Sequence, residues 1–228
     1  MNRFVHYYNN FKRRGIGGSF KYFYSYLFLP VSNRLFKYKG ENYFYFINRY
    51  SFTWANERSI EVPIFKKILD EALFKNKSVL EIGCVLNHYF PNQNQWKVVD
   101  KYEKFVGVNN LDICDFKNGK YDTIISISTM EHVGFEEDGD WTKFKKAFEN
   151  IVKNLLNKNG VFIFSIPLGY NQKLDEELFS GKYKLKIDYM LRTSTDSWKM
   201  VDKNRAKLAK YNYPYESANA LAICYYKK

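Results

Sequence analysis

The stretch SVLEIGCVLN, residues 78–87, decides how the rest of the chain is read. Val79, Leu80 and Ile82 make the short apolar run expected of a strand covered on both faces. Glu81-Ile82-Gly83 then sets a carboxylate and a glycine where that strand meets its loop. Glycine lets backbone approach a ligand closely. In an open parallel sheet ligands sit outside the carboxyl ends of the strands, so a nucleotide-like ligand is expected here. The three glycines of a G-x-G-x-x-G fingerprint are absent, because Cys84, Val85 and Leu86 follow Gly83. Taken alone, the stretch reads as well as a buried strand and turn.

Downstream, the pattern repeats. His88 to Trp96 is a polar connection with Pro91, too irregular for a full helix, and Lys97-Val98-Val99-Asp100 is a second strand ending in an acid. An acid about 20 residues beyond the first strand tip is placed to accept hydrogen bonds from ribose hydroxyls. Val106 to Phe116 brings Asp112 and Ile113 behind a short strand or turn, a carboxylate for an exocyclic amine and an apolar neighbour for its ring. Asp115 reads as a turn or cap residue. Tyr121 to Ser128 is a β-branched strand that delivers Thr129-Met130-Glu131-His132-Val133-Gly134 to the same edge. An amphipathic helix follows from about Asp140 to Asn157, with Trp141, Phe144, Phe148, Ile151 and Leu155 on one stripe and Asn159-Gly160 as its stop. Val161 to Ile166 is a central strand feeding the loop Pro167 to Asn171, and late strands at Lys186–Leu191 and Leu221–Tyr226 complete the sheet as an antiparallel pair.

Upstream, Ile60, Ile64, Ile68 and Ala72 at spacing four mark a covering helix, with Pro63 in its first turn and Ser59 or Glu61 near its cap. Arg58 is read as a solvated surface residue, or as one that reaches a cofactor carboxylate. Before Trp54 the composition changes. The net charge is +12, and residues 1–50 hold nine Lys or Arg against the single acid Glu41. In residues 1–54, 19 aromatic side chains interleave with these cations. Such a region fits an anionic membrane surface, stacks on single-stranded nucleic acid, or packs over the main domain as a lid. The run from Tyr22 to Asn33 is too short to span a bilayer, and no secretory signal opens the chain. Cys84, Cys114 and Cys224 are too few and too scattered for a disulfide framework or a metal site, so a cytoplasmic compartment and no metal are expected.

Strands tipped by acids and alternating with helices or loops specify a three-layer α/β domain. Residues 57–171 resemble class I S-adenosylmethionine-dependent methyltransferases, through VLEIG at 79–83, VVD at 98–100, LDICDF at 111–116, YDTIISISTMEHVG at 121–134 and NGVFIFSIP at 159–167. The strings ERSIEVP, EIGCVLNHY, VVDKYE, STMEHVG and PLGYN further resemble methyltransferase-like proteins of bacterial surface-polysaccharide biosynthesis. Val85 and Asn87 stand where many members carry glycine. The resemblance implies a Rossmann-like sandwich over residues 55–228, with a mostly parallel sheet and an antiparallel C-terminal strand, preceded by a basic aromatic arm or lid over 1–54. It implies that Glu81 and Gly83 lie against the methionine part of the cofactor, that Asp100 binds the ribose, and that Asp112 with Ile113 holds the adenine. Cys84, Val85, Lys101 and Ser128 complete that set. A displacement at a methyl group needs an acceptor held close and relieved of its proton. His132 is the candidate general base, with Glu131 orienting it or touching substrate. His88, Tyr89, Tyr170 and Asn171 are the candidate substrate contacts. The activity expected is O-methylation of a sugar or sugar-phosphate by a cytoplasmic protein, peripheral to the inner face of the membrane. An RNA or DNA methyltransferase and a non-catalytic membrane-peripheral scaffold are the alternatives. The oligomeric state does not follow from the sequence.

Overall fold

The computed structural model describes residues 33–91, 95–140 and 142–228. The readings made of residues 1–32 lie outside the described residues. The core is an eight-stranded sheet built from β3 (Val79–Ile82), β4 (Lys97–Val99), β5 (Val108–Asn109), β6 (Tyr121–Ile127), β7 (Leu156–Pro167), β8 (Lys186–Ser194), β9 (Ser197–Val201) and β10 (Ala220–Lys227), in the order β5-β4-β3-β6-β7-β10-β8-β9. β5, β4, β3, β6 and β7 pair in parallel. β10 runs antiparallel between β7 and β8, and β9 returns antiparallel along β8. The expected fold class is thus observed, with β9 as an additional antiparallel edge that the sequence reading did not contain.

Strand parity explains the three layers. Side chains alternate across a sheet, and here Leu80, Ile82, Ile124, Phe162, Phe164, Ile166, Ala222 and Cys224 enter one apolar cluster with Phe144 and Phe148 of α4 (Lys143–Asn150). Their neighbours Val79, Val98, Ile125, Ile127, Ile163, Leu221 and Ile223 enter a second cluster with Ile60, Ile64, Phe65 and Leu69 of α1 (Arg58–Phe74). Both faces are covered, as the continuous apolar runs require. Among the described residues no helix is long and apolar enough to cross a membrane.

Several local expectations are corrected. Pro63 is not in the first turn of α1, because the helix begins at Arg58. Proline cannot donate to the carbonyl four residues back, and the Phe46 N–H takes its place, donating to Ser59 O at 2.8 Å. The capping contact is made by Asn56, whose Oδ1 accepts the Arg58 N–H at 3.0 Å. The helix expected to end at Asn159-Gly160 instead ends in a π-turn, Ile151–Leu155, and β7 begins at Leu156. Asn159, at φ 63°, lies inside β7, in a stretch where the register to β6 shifts. After β3 the connection contains one short helical turn, α2 (Leu86–Tyr89).

Of the basic aromatic region, β1 (Leu35–Tyr38) and β2 (Glu41–Phe44) form an antiparallel hairpin. It is tied to the antiparallel side of the sheet by the Tyr38 hydroxyl, which donates to Asp188 Oδ2 at 2.9 Å, and by an ion pair between Arg34 and Asp196.

Candidate active site

The strand order reverses at β3. The chain leaves it for β4 and β5 on one side and returns to β6 and β7 on the other. A crevice at the carboxyl end of such a switch point is where an open α/β sheet takes its ligand. Gly83 and Thr129 meet across it. Gly83 has φ +83°, and a Cβ there would lie 2.2 Å from Thr129 Oγ1. That hydroxyl donates to Ile127 O at 2.9 Å, which fixes the threonine.

Beneath the crevice Glu81 is fully buried. Parity turns it toward α1, away from the cavity. One carboxylate oxygen accepts the N–H groups of Val85 and Leu86 at 2.9 and 2.5 Å, and the other accepts Trp96 Nε1 at 2.9 Å. Glu81 therefore folds the loop that follows Gly83, and Val85 serves that loop through its backbone. Burial pushes the Glu81 carboxyl from 4.5 up to about 7 against the pull of these donors. Between those values the unfolded chain has released a proton that the folded chain keeps. The stability Glu81 contributes is complete below about pH 4.5 and is lost as pH rises through about 7, on the order of 3 kcal/mol. Asp175, raised by burial to about 7, acts in the same direction. Urea melts are expected to show the protein more stable at pH 5 than at pH 8, with a shallower slope for Glu81→Gln. Equal slopes in the two proteins would reject this role.

The cavity above encloses about 270 Å³. Gly83, Asp100, Lys101, Asp112, Ile113 and His132 are among the residues that line it. Asp100 Oδ2 accepts the Cys84 N–H at 3.0 Å, and Oδ1 accepts those of Tyr102 and Glu103 at 2.8 and 2.9 Å. A carboxylate has about four acceptor positions, so one remains for a ligand hydroxyl. The Asp112–Ile113 turn is held from behind by Asn150, which donates to Ile113 O at 2.7 Å and Phe116 O at 2.8 Å. Burial works to raise the Asp112 carboxyl, but Lys143 Nζ at 2.8 Å and the Cys114 N–H outweigh it and bring it down to about 2. Lys101 Nζ stands 3.4 Å from the same carboxylate.

On the opposite wall His132 Nδ1 lies 2.8 Å from Glu136 Oε1, and the Tyr170 hydroxyl donates to that same oxygen. The rings of His132 and Tyr170 meet at 4.8 Å. With Nδ1–H held by a carboxylate, the lone pair sits on Nε2. Glu136 was missed in the sequence because it is one acid of three in the short FEED turn, α3 (Phe135–Asp138), and nothing local sets it apart. Lys143 was missed because only the fold carries it to Asp112.

Other candidates lie elsewhere. Ser128 is buried at φ 38°, held by Glu61 Oε1, which accepts its hydroxyl at 2.5 Å, and by Ser165 Oγ, which accepts its N–H at 3.0 Å. It stands behind the wall and does not line the cavity. Cys84 is buried, and its thiol is pushed up to about 11 by burial. His88 stacks on Tyr50 at 4.8 Å and meets Phe105 at 4.7 Å, while Tyr89 packs on Phe46 at 5.0 Å, so both belong to an aromatic cluster outside the cavity lining. Asn171 is 1% exposed and caps α5 (Gln172–Ser180) by accepting the Leu174 N–H. Arg58, read as solvated or as a cofactor contact, is instead paired with Glu61 at 2.5 Å. Glu131 is 1% exposed, with Oε1 3.4 Å from His132 Nε2.

No protein-family model matches the chain, and no curated protein matches it in sequence. Among solved structures it is similar to the N-methyltransferase NodS from Bradyrhizobium japonicum in complex with S-adenosyl-L-homocysteine, at 14% identity over 75% of this chain and 91% of that one, with a TM-score of 0.47. It is also similar to a ribosomal protein L11 methylase from Lactobacillus delbrueckii subsp. bulgaricus (12% identity, 81% and 82% covered, TM-score 0.42). A third similar structure is a SAM-dependent methyltransferase from Archaeoglobus fulgidus (13% identity, 72% and 94% covered, TM-score 0.41).

Proposed function

We propose that the protein is an S-adenosylmethionine-dependent methyltransferase that methylates a hydroxyl of a sugar or sugar-phosphate in surface-glycan biosynthesis. The observation that carries this reading is the convergence, at one topological switch point, of a side-chain-free turn at Gly83 with three separate acid-tipped or acid-bearing loops around one cavity. The residues present fit the cofactor. Gly83 lines the cavity without a side chain of its own, Asp100 keeps an acceptor position for a ribose hydroxyl, and Asp112 is an anion beside the apolar surface of Ile113. S-adenosylmethionine supplies an electrophilic methyl group when bound.

The protein's own residues do the rest. Asp100 and Asp112 orient the ligand from loops braced by backbone N–H groups, so little ordering is left to be done on binding. His132 Nε2 receives the acceptor proton, and Glu136 holds the imidazole in the required tautomer. The basic aromatic region 1–54 supports a placement at the anionic inner face of a membrane.

Calorimetry with S-adenosylmethionine tests the site. Asp112→Ala is expected to lower affinity about 10- to 100-fold, the worth of a charge-assisted hydrogen bond at about 1.5–3 kcal/mol. Labelled methyl transfer to nucleotide sugars, glycan fragments and RNA then identifies the acceptor class, and sedimentation with anionic liposomes tests the membrane placement. Unaltered affinity in Asp112→Ala, or label entering RNA alone, would overturn the corresponding part of the reading.

A further inference from the structure

Beside His132 and outside the cavity lining, a group of buried charges remains that the proposed chemistry does not use. Glu57, Glu61 and Glu131 are 9%, 0% and 1% exposed, and they share one guanidinium, Arg58. Arg58 is committed to Glu61 Oε2, while Glu61 Oε1 accepts from both Ser128 and Ser165. Glu57 Oε2 accepts the Ala218 N–H at 3.1 Å. Among the described residues neither carboxylate oxygen of Glu131 has a hydrogen-bond partner, although His132 Nε2 stands 3.4 Å from Oε1. Leaving such a group buried is costly, and in a native protein it calls for a partner that completes it. Burial first, and then the charge of Glu61, push Glu57 and Glu131 above the ordinary carboxylate range.

The surrounding surface narrows what that partner is. The Tyr170 and Tyr211 rings meet edge to face at 5.1 Å, and Tyr170 also meets His132. Burial and then the neighbouring Glu57 and Glu131 raise the Tyr211 phenol to about 12, and its ring reaches the cluster through Tyr170 and His132. Aromatic rings beside carboxylates recognise organic cations. An anion would meet two carboxylates that share, among the described residues, the single guanidinium of Arg58. A metal ion does not suit the arrangement, because no group of His, Cys, Asp and Glu among the described residues is placed to hold one.

We propose that this cluster is a subsite for a protonated amine on the methyl acceptor, which docks on Glu131 and Glu57 beside Tyr170 and Tyr211 and supplies the positive charge that three carboxylates around one arginine lack. An entering ammonium exchanges for a carboxyl proton, and Glu57, Arg58, Glu61, His132, Glu136 and Tyr211 are the titratable or charged groups in the field of Glu131. Calling the ligand the acceptor rests on the methyltransferase reading. The cation site itself does not. Glu131 Oε1 stands 3.4 Å from His132 Nε2 and His132 lines the cavity, so the cation site and the cavity are within the span of one small acceptor.

The test uses the full-length protein with matched probes: methylammonium, ethanolamine and glucosamine against methanol, ethylene glycol and N-acetylglucosamine. Calorimetry and thermal shift are expected to show at least one amine binding tenfold or more above its neutral counterpart. Glu131→Gln is expected to remove that preference with its fold intact by circular dichroism, and Glu57→Gln to weaken it. If no amine outbinds its counterpart, or if both variants keep the preference, the subsite assignment fails. An S-adenosylmethionine titration on the same samples separates the two ideas: absent cofactor binding overturns the methyltransferase reading, whereas the amine comparison alone decides the cation site.

Discussion

Alanine in place of Gly83 is expected to destabilise the folded protein by about 2–5 kcal/mol, read as a lowered urea midpoint. Two costs add. At φ +83° an L-residue sits in the left-handed region, at about 1–2 kcal/mol. The new Cβ would also lie 2.2 Å from Thr129 Oγ1, 2.9 Å from its Cγ2 and 3.0 Å from its Cβ. Overpacking of that kind costs about 1–3 kcal/mol of folding stability, because the clash and the backbone strain are present whether or not a ligand is bound. Thr129 cannot rotate away freely, because its hydroxyl is bonded to Ile127 O. The strain therefore spreads into the two loops that form the crevice. The double variant Gly83→Ala/Thr129→Ala removes the hydroxyl and methyl contacts but leaves the backbone cost, so it is expected to recover about half of the loss in free energy. Wild-type stability in the single variant would show that the turn relaxes around the new Cβ without cost. An additive double variant would show that the two residues do not meet.

The apolar strands and their alternation were legible in the sequence, since Val79–Ile82, Val98–Val99, Tyr121–Ile127 and Val161–Ile166 carry their burial in their own composition. The acids at the strand tips were legible as positions. What each acid does was not. Glu81 alternates with Leu80 and Ile82, and its donors, Trp96 Nε1 among them, come from segments that only the folded sheet brings near. The cavity and the brace behind it were thus read as one site, although parity separates them. Arg58 and Glu61 look like ordinary polar residues at a helix start, yet Ser128 and Ser165, from the ends of β6 and β7, converge on Glu61 and bury it. Pro63 misled for the same reason, because the Phe46 N–H that makes it tolerable lies outside any local window. The substrate assignments of His88 and Asn171 followed sequence proximity to the loops. The structure spends the first in an aromatic stack and the second on a helix cap.

For His132→Ala, turnover is expected to fall about 100- to 10,000-fold, the range a positioned general base contributes. Cofactor affinity should change little, because the imidazole touches one wall of the cavity and the anchoring acids stand on the other. Loss of packing alone is an alternative cause, and added imidazole distinguishes the two. A small base diffusing into the space left by the side chain restores turnover only if the missing function is proton acceptance. Glu136→Gln tests the geometry behind that function. Its carboxylate receives both His132 Nδ1 and the Tyr170 hydroxyl, and these donors outweigh burial and hold it below the ordinary carboxylate range. An amide in its place can present its NH₂ to the imidazole and favour the wrong tautomer. Glu136→Gln should therefore lower kcat with KM nearly unchanged, and Glu136→Asp should restore part of it. Unchanged turnover in His132→Ala would remove the base from this side of the cavity. The carboxyl next in reach is Glu131, outside the cavity lining but 3.4 Å from Nε2 and without a hydrogen-bond partner among the described residues, and a proton arriving on Nε2 would sit directly against it.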